Sequence, residues 1–148
     1  MAAVSPWDAG AGVVELPDGR QIRGRGLRHG LPEGPAPQFG VYLLGKDPGT
    51  FGWPHRWVRW PDLRTPASTD DALDALAEAH RRAATERVEI GCSGGIGRSG
   101  TALAAIAVMA GLRPADALGW VRQHYDRRAV ETPWQLRWVL RLDSTAWS

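Results

Sequence analysis

At 148 residues the chain is long enough for one domain with a sizeable core. Its 43% hydrophobic content and eight tryptophans exclude a disordered polymer, and its single cysteine excludes an intramolecular disulfide. Basic and acidic residues nearly balance at 18 against 16, and the basic ones are scattered arginines apart from Lys46; a pI of about 9.2 therefore permits an anionic substrate without pointing to nucleic acid.

In chain order, Val13-Val14-Glu15-Leu16 and Gln21-Ile22-Arg23 flank Pro17-Asp18-Gly19, the pattern of a hairpin within about residues 12–25. Residues 30–37 are rich in Gly and Pro and read as a loop. Val41-Tyr42-Leu43-Leu44 is a buried strand closed by Gly45 to Gly49. Arg56 to Trp60 alternates as a second strand, stopped by Pro61. Residues 68–84 read as a helix: Ser68 or Thr69 caps it, acids crowd its first turn and arginines its last. Leu73, Leu76, Ala77 and His80 fall on one face of it. Val88 to Ile90 is the next strand, and an alanine-rich helix spans Thr101 to Ala110. Pro114 opens a helix to about Tyr125. Thr132-Pro133-Trp134-Gln135 is a capping-box start for a last helix with Leu136, Val139 and Leu140 inward. There are no internal repeats and no low-complexity tail. No uncharged apolar stretch is long enough to span a membrane, and the N-terminus lacks the cationic start and apolar core of a secretory signal.

The segment from Gly91 to Thr101, Gly-Cys-Ser-Gly-Gly-Ile-Gly-Arg-Ser-Gly-Thr, joins that strand to that helix. A tight glycine loop at a helix start turns several backbone N–H groups toward one anion, aided by the helix dipole and a guanidinium. A cysteine at its base sits in a positive field that favours the nucleophilic thiolate form. Three readings fit parts of this loop. Gly95, Gly97 and Gly100 match a dinucleotide fingerprint, which requires a following strand with an acidic residue about twenty positions on; Asp116 has nearly that spacing but opens a helix. The nucleotide-binding lysine loop fails, because Cys92 and Arg98 stand where its glycine and lysine belong. A phosphate cradle around a nucleophilic cysteine accounts for Cys92, Arg98, the glycines and the helix start together.

Cys92, Gly95, Arg98 and Ser99 resemble the signature of the cysteine-based protein tyrosine phosphatase superfamily: Cys, five residues, Arg, then Ser or Thr. Trp60-Pro61-Asp62, with Pro66 beyond it and thirty residues before the cysteine, resembles the family's mobile acid loop. Ala129-Val130-Glu131-Thr132-Pro133-x-Gln135 resembles a segment of small dual-specificity-like members. The likeness runs from about Tyr42 to Leu142. It implies an α/β fold, a central mixed β-sheet flanked by helices in a three-layer domain over residues 1–148, with the catalytic core at about 39–142. It implies a phosphatase that cleaves phosphate monoesters, phosphotyrosine in proteins first and phosphoserine or phosphothreonine as further substrates, or a small phosphate ester.

That resemblance implies a role for each of these residues. Cys92 attacks phosphorus and Asp62 serves as acid, then base. Arg98 grips two phosphoryl oxygens, and the loop amides of Ser93, Gly94, Gly95, Ile96, Gly97 and Arg98 hold the rest. Ser99 assists departure of the sulfur or serves only to start the helix, and Gln135 is a candidate for positioning water or serves only as the capping-box partner of Thr132, two roles that can coexist. Glu131 is expected to order its loop, and Trp53, Trp57 and Trp60 to pack. No metal and no cofactor is implied, no nucleic acid or membrane partner is expected, and the lone cysteine suits a cytoplasmic setting. Two departures stand out: Gly91 occupies the place where the family usually has histidine, and Arg64 a place where tyrosine-specific relatives often have glycine. Gly91 motivates an alternative, a phosphate-binding module of the same fold with little turnover; the glycine spacing motivates another, a dinucleotide-binding protein.

Overall fold

A computed structural model describes residues 7–8 and 10–142. Its elements follow the order β1 (Val13–Glu15), β2 (Gln21–Gly26), a single 3-10 turn (Leu27–His29), β3 (Phe39–Leu44), β4 (His55–Arg59), α1 (Thr69–Arg82), β5 (Val88–Cys92), α2 (Gly97–Met109), α3 (Pro114–His124) and α4 (Pro133–Leu140). The five strands make one sheet in the order β1-β2-β5-β3-β4. The β1–β2 hairpin is antiparallel, and the other three junctions are parallel. The mixed sheet flanked by helices is thus as expected.

Strand β5 lies at the centre, and all five of its residues are buried. Its even-numbered residues, Val88, Ile90 and Cys92, belong to the hydrophobic core with Phe39, Val41 and Leu43 of β3 and Ile22 of β2. Helices α1 and α2 pack on the sheet and on each other, and α3 and α4 pack on α2. Helix α2 is therefore covered all round, and all thirteen of its residues are buried. Its alanines and glycines serve close packing, and a helix apolar on every side is what that place requires. It starts at Gly97, one turn before the expected Thr101, which puts Arg98 and Ser99 in its first turn.

The caps follow the sequence. Ser68 Oγ accepts the Asp71 N–H at 3.2 Å, and α4 carries the full capping box between Thr132 and Gln135. Two helix faces differ from expectation. On α1 the fully buried residues are Ala72, Ala75, Leu76 and Ala79, while Leu73, Ala77 and His80 are half-buried. Small side chains admit the closer approach to the sheet, so the alanine row takes the centre of the contact. On α4 Leu140 is exposed, and Gln135, Trp138 and Val139 face inward. Trp138 packs edge-on against Trp60 at 5.4 Å between ring centres, and that aromatic contact rotates the helix away from Leu140.

The opposite face of the sheet carries charge. Glu89 is fully buried and accepts from Arg23 at 2.6 Å, Arg25 at 2.7 and 2.9 Å, and the Tyr42 hydroxyl at 2.8 Å. Burial alone would raise the Glu89 carboxyl, but hydrogen bonds from Arg25, Arg23 and Tyr42 outweigh it and hold the group below its ordinary value. Removing one partner of such a set leaves an uncompensated buried charge. The network ties β2, β3 and β5 together one residue pair below the loop that follows Cys92.

Candidate active site

Parallel β5 ends at Cys92, on the edge of the sheet where α/β proteins gather their ligands. Ser93 to Ile96 then turn the chain into α2. Gly95 sits at φ +75°, and a Cβ there would collide with the backbone of Arg25 and Gly26; only glycine meets both conditions. The turn aims two donors at the sulfur. Ser99 Oγ lies 3.1 Å and the Gly95 N–H nitrogen 3.2 Å from Cys92 Sγ. Beneath the turn, the Tyr125 hydroxyl donates to the Gly95 carbonyl. Burial, joined by the negative charge of Cys92 and Asp126, pushes that phenol well above its ordinary value, so it stays a neutral donor.

Above the sulfur is a pocket of about 180 Å³, lined by Cys92, Ser93, Gly94, Ile96, Gly97 and Arg98 of the loop together with Asp62, Leu63, Glu131 and Arg28. Gly95 lies behind this wall. Arg98 is 5% exposed. Its Nη1 donates to the Trp60 carbonyl at 3.0 Å, while its buried Nε makes no hydrogen bond and stands 3.6 Å from Asp62 Oδ1. A buried guanidinium N–H that makes no hydrogen bond, in an arginine that lines the same pocket as Cys92, can serve an anionic acceptor.

Asp62 reaches the pocket because its loop is fastened on three sides. Trp60 Nε1 and Gln135 Nε2 both donate to the Arg64 carbonyl, at 2.5 and 3.1 Å, and Trp134 Nε1 donates to the Leu63 carbonyl at 2.5 Å. Leu63 takes φ +62°, a conformation that a residue with a Cβ adopts only under constraint. Its N–H donates to Asp62 Oδ1 at 3.0 Å. Arg64 thus contributes its carbonyl as the anchor, which any residue could supply.

In the structure Gln135 takes part in this fastening and in the cap of α4. Gln135 is fully buried and does not line the pocket. Its Oε1 accepts the N–H groups of Glu131 and Thr132 at 2.9 and 3.2 Å, and its Nε2 serves Arg64, so both ends of the amide are engaged away from the pocket. Glu131, expected only to order its loop, reaches the pocket wall. Arg28, which the sequence did not single out, reaches it too: parallel pairing sets Gly26 beside Cys92, so the turn after β2 meets the turn after β5. No local pattern in the chain announces that neighbourhood.

The glycines of the supposed dinucleotide fingerprint have packing reasons. A Cβ at Gly97 would strike the Glu131 carboxylate, and one at Gly100 would strike Ala129. The chain after α2 continues into α3, and Asp116 in its first turn pairs with Arg113 at 2.9 Å. Among the described residues no strand follows α2, and Asp116, the acidic residue at nearly the required spacing, is helical and paired, so the dinucleotide reading is set aside.

Gly91 also has a local cause. A Cβ at that position would meet the Tyr42 ring at 3.0 and 3.2 Å and Leu27 at 3.3 Å. Tyr42 stacks on Phe51 with ring centres 4.1 Å apart and is held by Glu89, so it cannot swing aside freely. The Gly91→His variant is expected to lose about 1–3 kcal/mol of stability through overpacking, read as a lower denaturant midpoint at unchanged slope. An unchanged midpoint would mean that the Tyr42 side gives way easily.

Comparison with known proteins converges on one family. The family model described as Protein-tyrosine phosphatase matches residues 45–142. The human tyrosine-protein phosphatase non-receptor type 4 is 33% identical over 91 residues, which is 57% of this chain; the match spans about a tenth of that protein, 10% of its length. Two crystal structures of Tk-PTP are similar in fold. The active form is 25% identical with a TM-score of 0.63, covering 87% of this chain and 97% of Tk-PTP. A glycine-to-alanine mutant form is 28% identical with a TM-score of 0.63, covering 74% and 78%.

Proposed function

Because the chain belongs to the protein-tyrosine phosphatase family, we propose that it hydrolyses phosphate monoesters, phosphotyrosine in proteins first, through a phosphocysteine. The observation that carries this reading is that Cys92, Arg98 and Asp62 line one small pocket, with the Arg98 Nε free of any hydrogen bond and 3.6 Å from the Asp62 carboxyl.

In the first step the Cys92 thiolate attacks phosphorus, forming the S–P bond as the P–O bond to the alcohol or phenol breaks. Asp62 gives its proton to the departing oxygen. Arg98 binds two equatorial oxygens through Nε and an Nη, and the N–H groups of the 93–98 loop take the remaining charge. In the second step water attacks phosphorus, Asp62 takes the proton back, and the S–P bond breaks to give inorganic phosphate. The sulfur then leaves as thiolate, stabilised by the Ser99 hydroxyl and the Gly95 N–H. Every charge in this scheme has a partner in the chain itself. Phosphoserine and phosphothreonine are proposed as further substrates, and a reducing, cytoplasmic setting keeps the single thiol free. Among the described residues no helix is long and apolar enough to cross a membrane.

The test is a panel of phosphotyrosine, phosphoserine and phosphothreonine peptides and an aryl phosphate, run on wild type beside Cys92→Ser. Turnover by wild type and none by Cys92→Ser, with phosphate still bound by both, is the expected result. Phosphate binding without turnover by wild type would establish a binding module instead. The spread of rates across the three phosphoamino acids reads the breadth of specificity directly.

A further inference from the structure

Arg28 lies in the turn that prolongs β2 past its pairing with β5. Its backbone N–H donates to the Ser93 carbonyl at 3.1 Å, so this turn is fastened to the phosphate loop itself. Its guanidinium reaches over Gly94, with Nη2 3.5 Å from where a Cβ of that residue would stand, and it lines the pocket rim. The two arginines before it, Arg23 and Arg25 on β2, are both committed to Glu89. Arg28 is exposed, and among the described residues no carboxylate is paired with it. A cation is therefore held by its backbone at the mouth of an anion site, with its side chain available.

We propose that Arg28 is a specificity-determining residue, a second anion subsite that receives an aspartate or glutamate neighbouring the phosphotyrosine of a substrate peptide. The proposal rests on the phosphatase reading above for its substrate, but not for its chemistry. A carboxylate can meet the Arg28 fork while the phosphoryl group occupies the loop. The rest of the rim favours a peptide over a polyphosphate. Glu131 brings negative charge to the same pocket, which also holds the Asp62 carboxyl; this opposes a densely anionic ligand but tolerates one added carboxylate. Beyond Asp62, a groove of about 620 Å³ is lined by Leu63, Arg64, Thr65 and Trp134. Leu63 and Trp134 are each 47% exposed there, an apolar surface suited to a side chain of a peptide.

The experiment compares phosphotyrosine peptides that differ only in an acidic, neutral or basic neighbour, with wild type, Arg28→Gln and Arg28→Glu. Wild type should prefer the acidic peptide. Arg28→Gln should reduce the acidic-to-neutral ratio of kcat/KM by about two- to fivefold, the range for an exposed charged pair, and Arg28→Glu should turn the preference toward the basic peptide. Raising salt should shrink the wild-type preference. An equal change on all three peptides would overturn the proposal, since Arg28 would then be serving the phosphate or the loop. So would an inositol polyphosphate that competes better than the acidic peptide in wild type but not in Arg28→Gln. If wild type turns over no peptide, the phosphatase reading fails separately, and the preference is read from peptide affinities of Cys92→Ser by calorimetry. Equal affinities there overturn the subsite, and tighter binding of the acidic peptide upholds it.

Discussion

Asp62→Asn is expected to slow hydrolysis of phosphotyrosine peptides by about a hundred- to ten-thousand-fold, the usual contribution of one positioned acid–base group. Asparagine is nearly isosteric, and its Oδ1 can still accept the Leu63 N–H that Asp62 accepts at 3.0 Å. The three fastenings of the acid loop, from Trp60, Gln135 and Trp134, do not involve the carboxylate. The substitution therefore removes the proposed proton donor without releasing the loop. Its mark is dependence on the leaving group. A phenol such as tyrosine leaves poorly without protonation, whereas an activated nitrophenolate needs little help, so the loss should be much smaller on the activated ester. Steady-state kcat on both substrates measures this. A near-wild-type rate on the peptide, or the same loss on both substrates, would remove Asp62 from the role of acid.

Arg98→Lys should be at least as damaging, although it keeps the charge. The guanidinium does two things at once: Nη1 holds the Trp60 carbonyl at 3.0 Å, and Nε, buried without a hydrogen bond, stands 3.6 Å from the Asp62 carboxyl. An ammonium is a single point donor group and cannot fork between the two. Loss of one preorganised donor to a developing oxyanion slows reactions by about a hundred- to a thousand-fold, and loosening the loop that carries Asp62 adds to it. Both kcat and the inhibition constant of inorganic phosphate should worsen, because in the proposed mechanism Arg98 meets phosphoryl oxygens in the ground state as well as in the transition state. A loss below tenfold with unchanged phosphate inhibition would show that the loop amides do this work without the fork.

The two variants also separate what the acid loop needs. Asp62→Asn tests the chemistry of the loop with its position kept, and Arg98→Lys disturbs its position through Trp60. The loop is held chiefly by three indole or amide donors to carbonyls, a closed arrangement sustained by tertiary contacts rather than by a regular element. Leu63 at φ +62° and Val130 at φ +64°, one on each loop facing the pocket, carry the backbone strain this arrangement demands.

What the sequence determined by itself is what short range controls. Asp-Gly at a hairpin turn, Ser68 and Thr132 as caps, Pro114 and Pro133 at helix starts, and apolar runs at strand spacing each depend on a few neighbouring residues, and each formed as read. The spacing of Cys92 to Arg98 is equally local, because a loop of six residues entering a helix leaves its groups little freedom. Asp62 was legible only through resemblance, since nothing in Trp-Pro-Asp itself says which pocket it will face.

Tertiary structure decided the rest, because it brings together residues with no shared local pattern. Parallel pairing of β2 with β5 set Arg28 beside the phosphate loop. Packing of α3 and α4 on α2 turned the fingerprint glycines into contact points for Ala129 and Glu131, and it buried Gln135 where its amide fastens the acid loop. Gly91 reads in the chain as a missing histidine; in the fold, the Tyr42 ring and Leu27 crowd that position. Side-chain volume across neighbouring strands, rather than order along one strand, fixes what can stand beside Cys92.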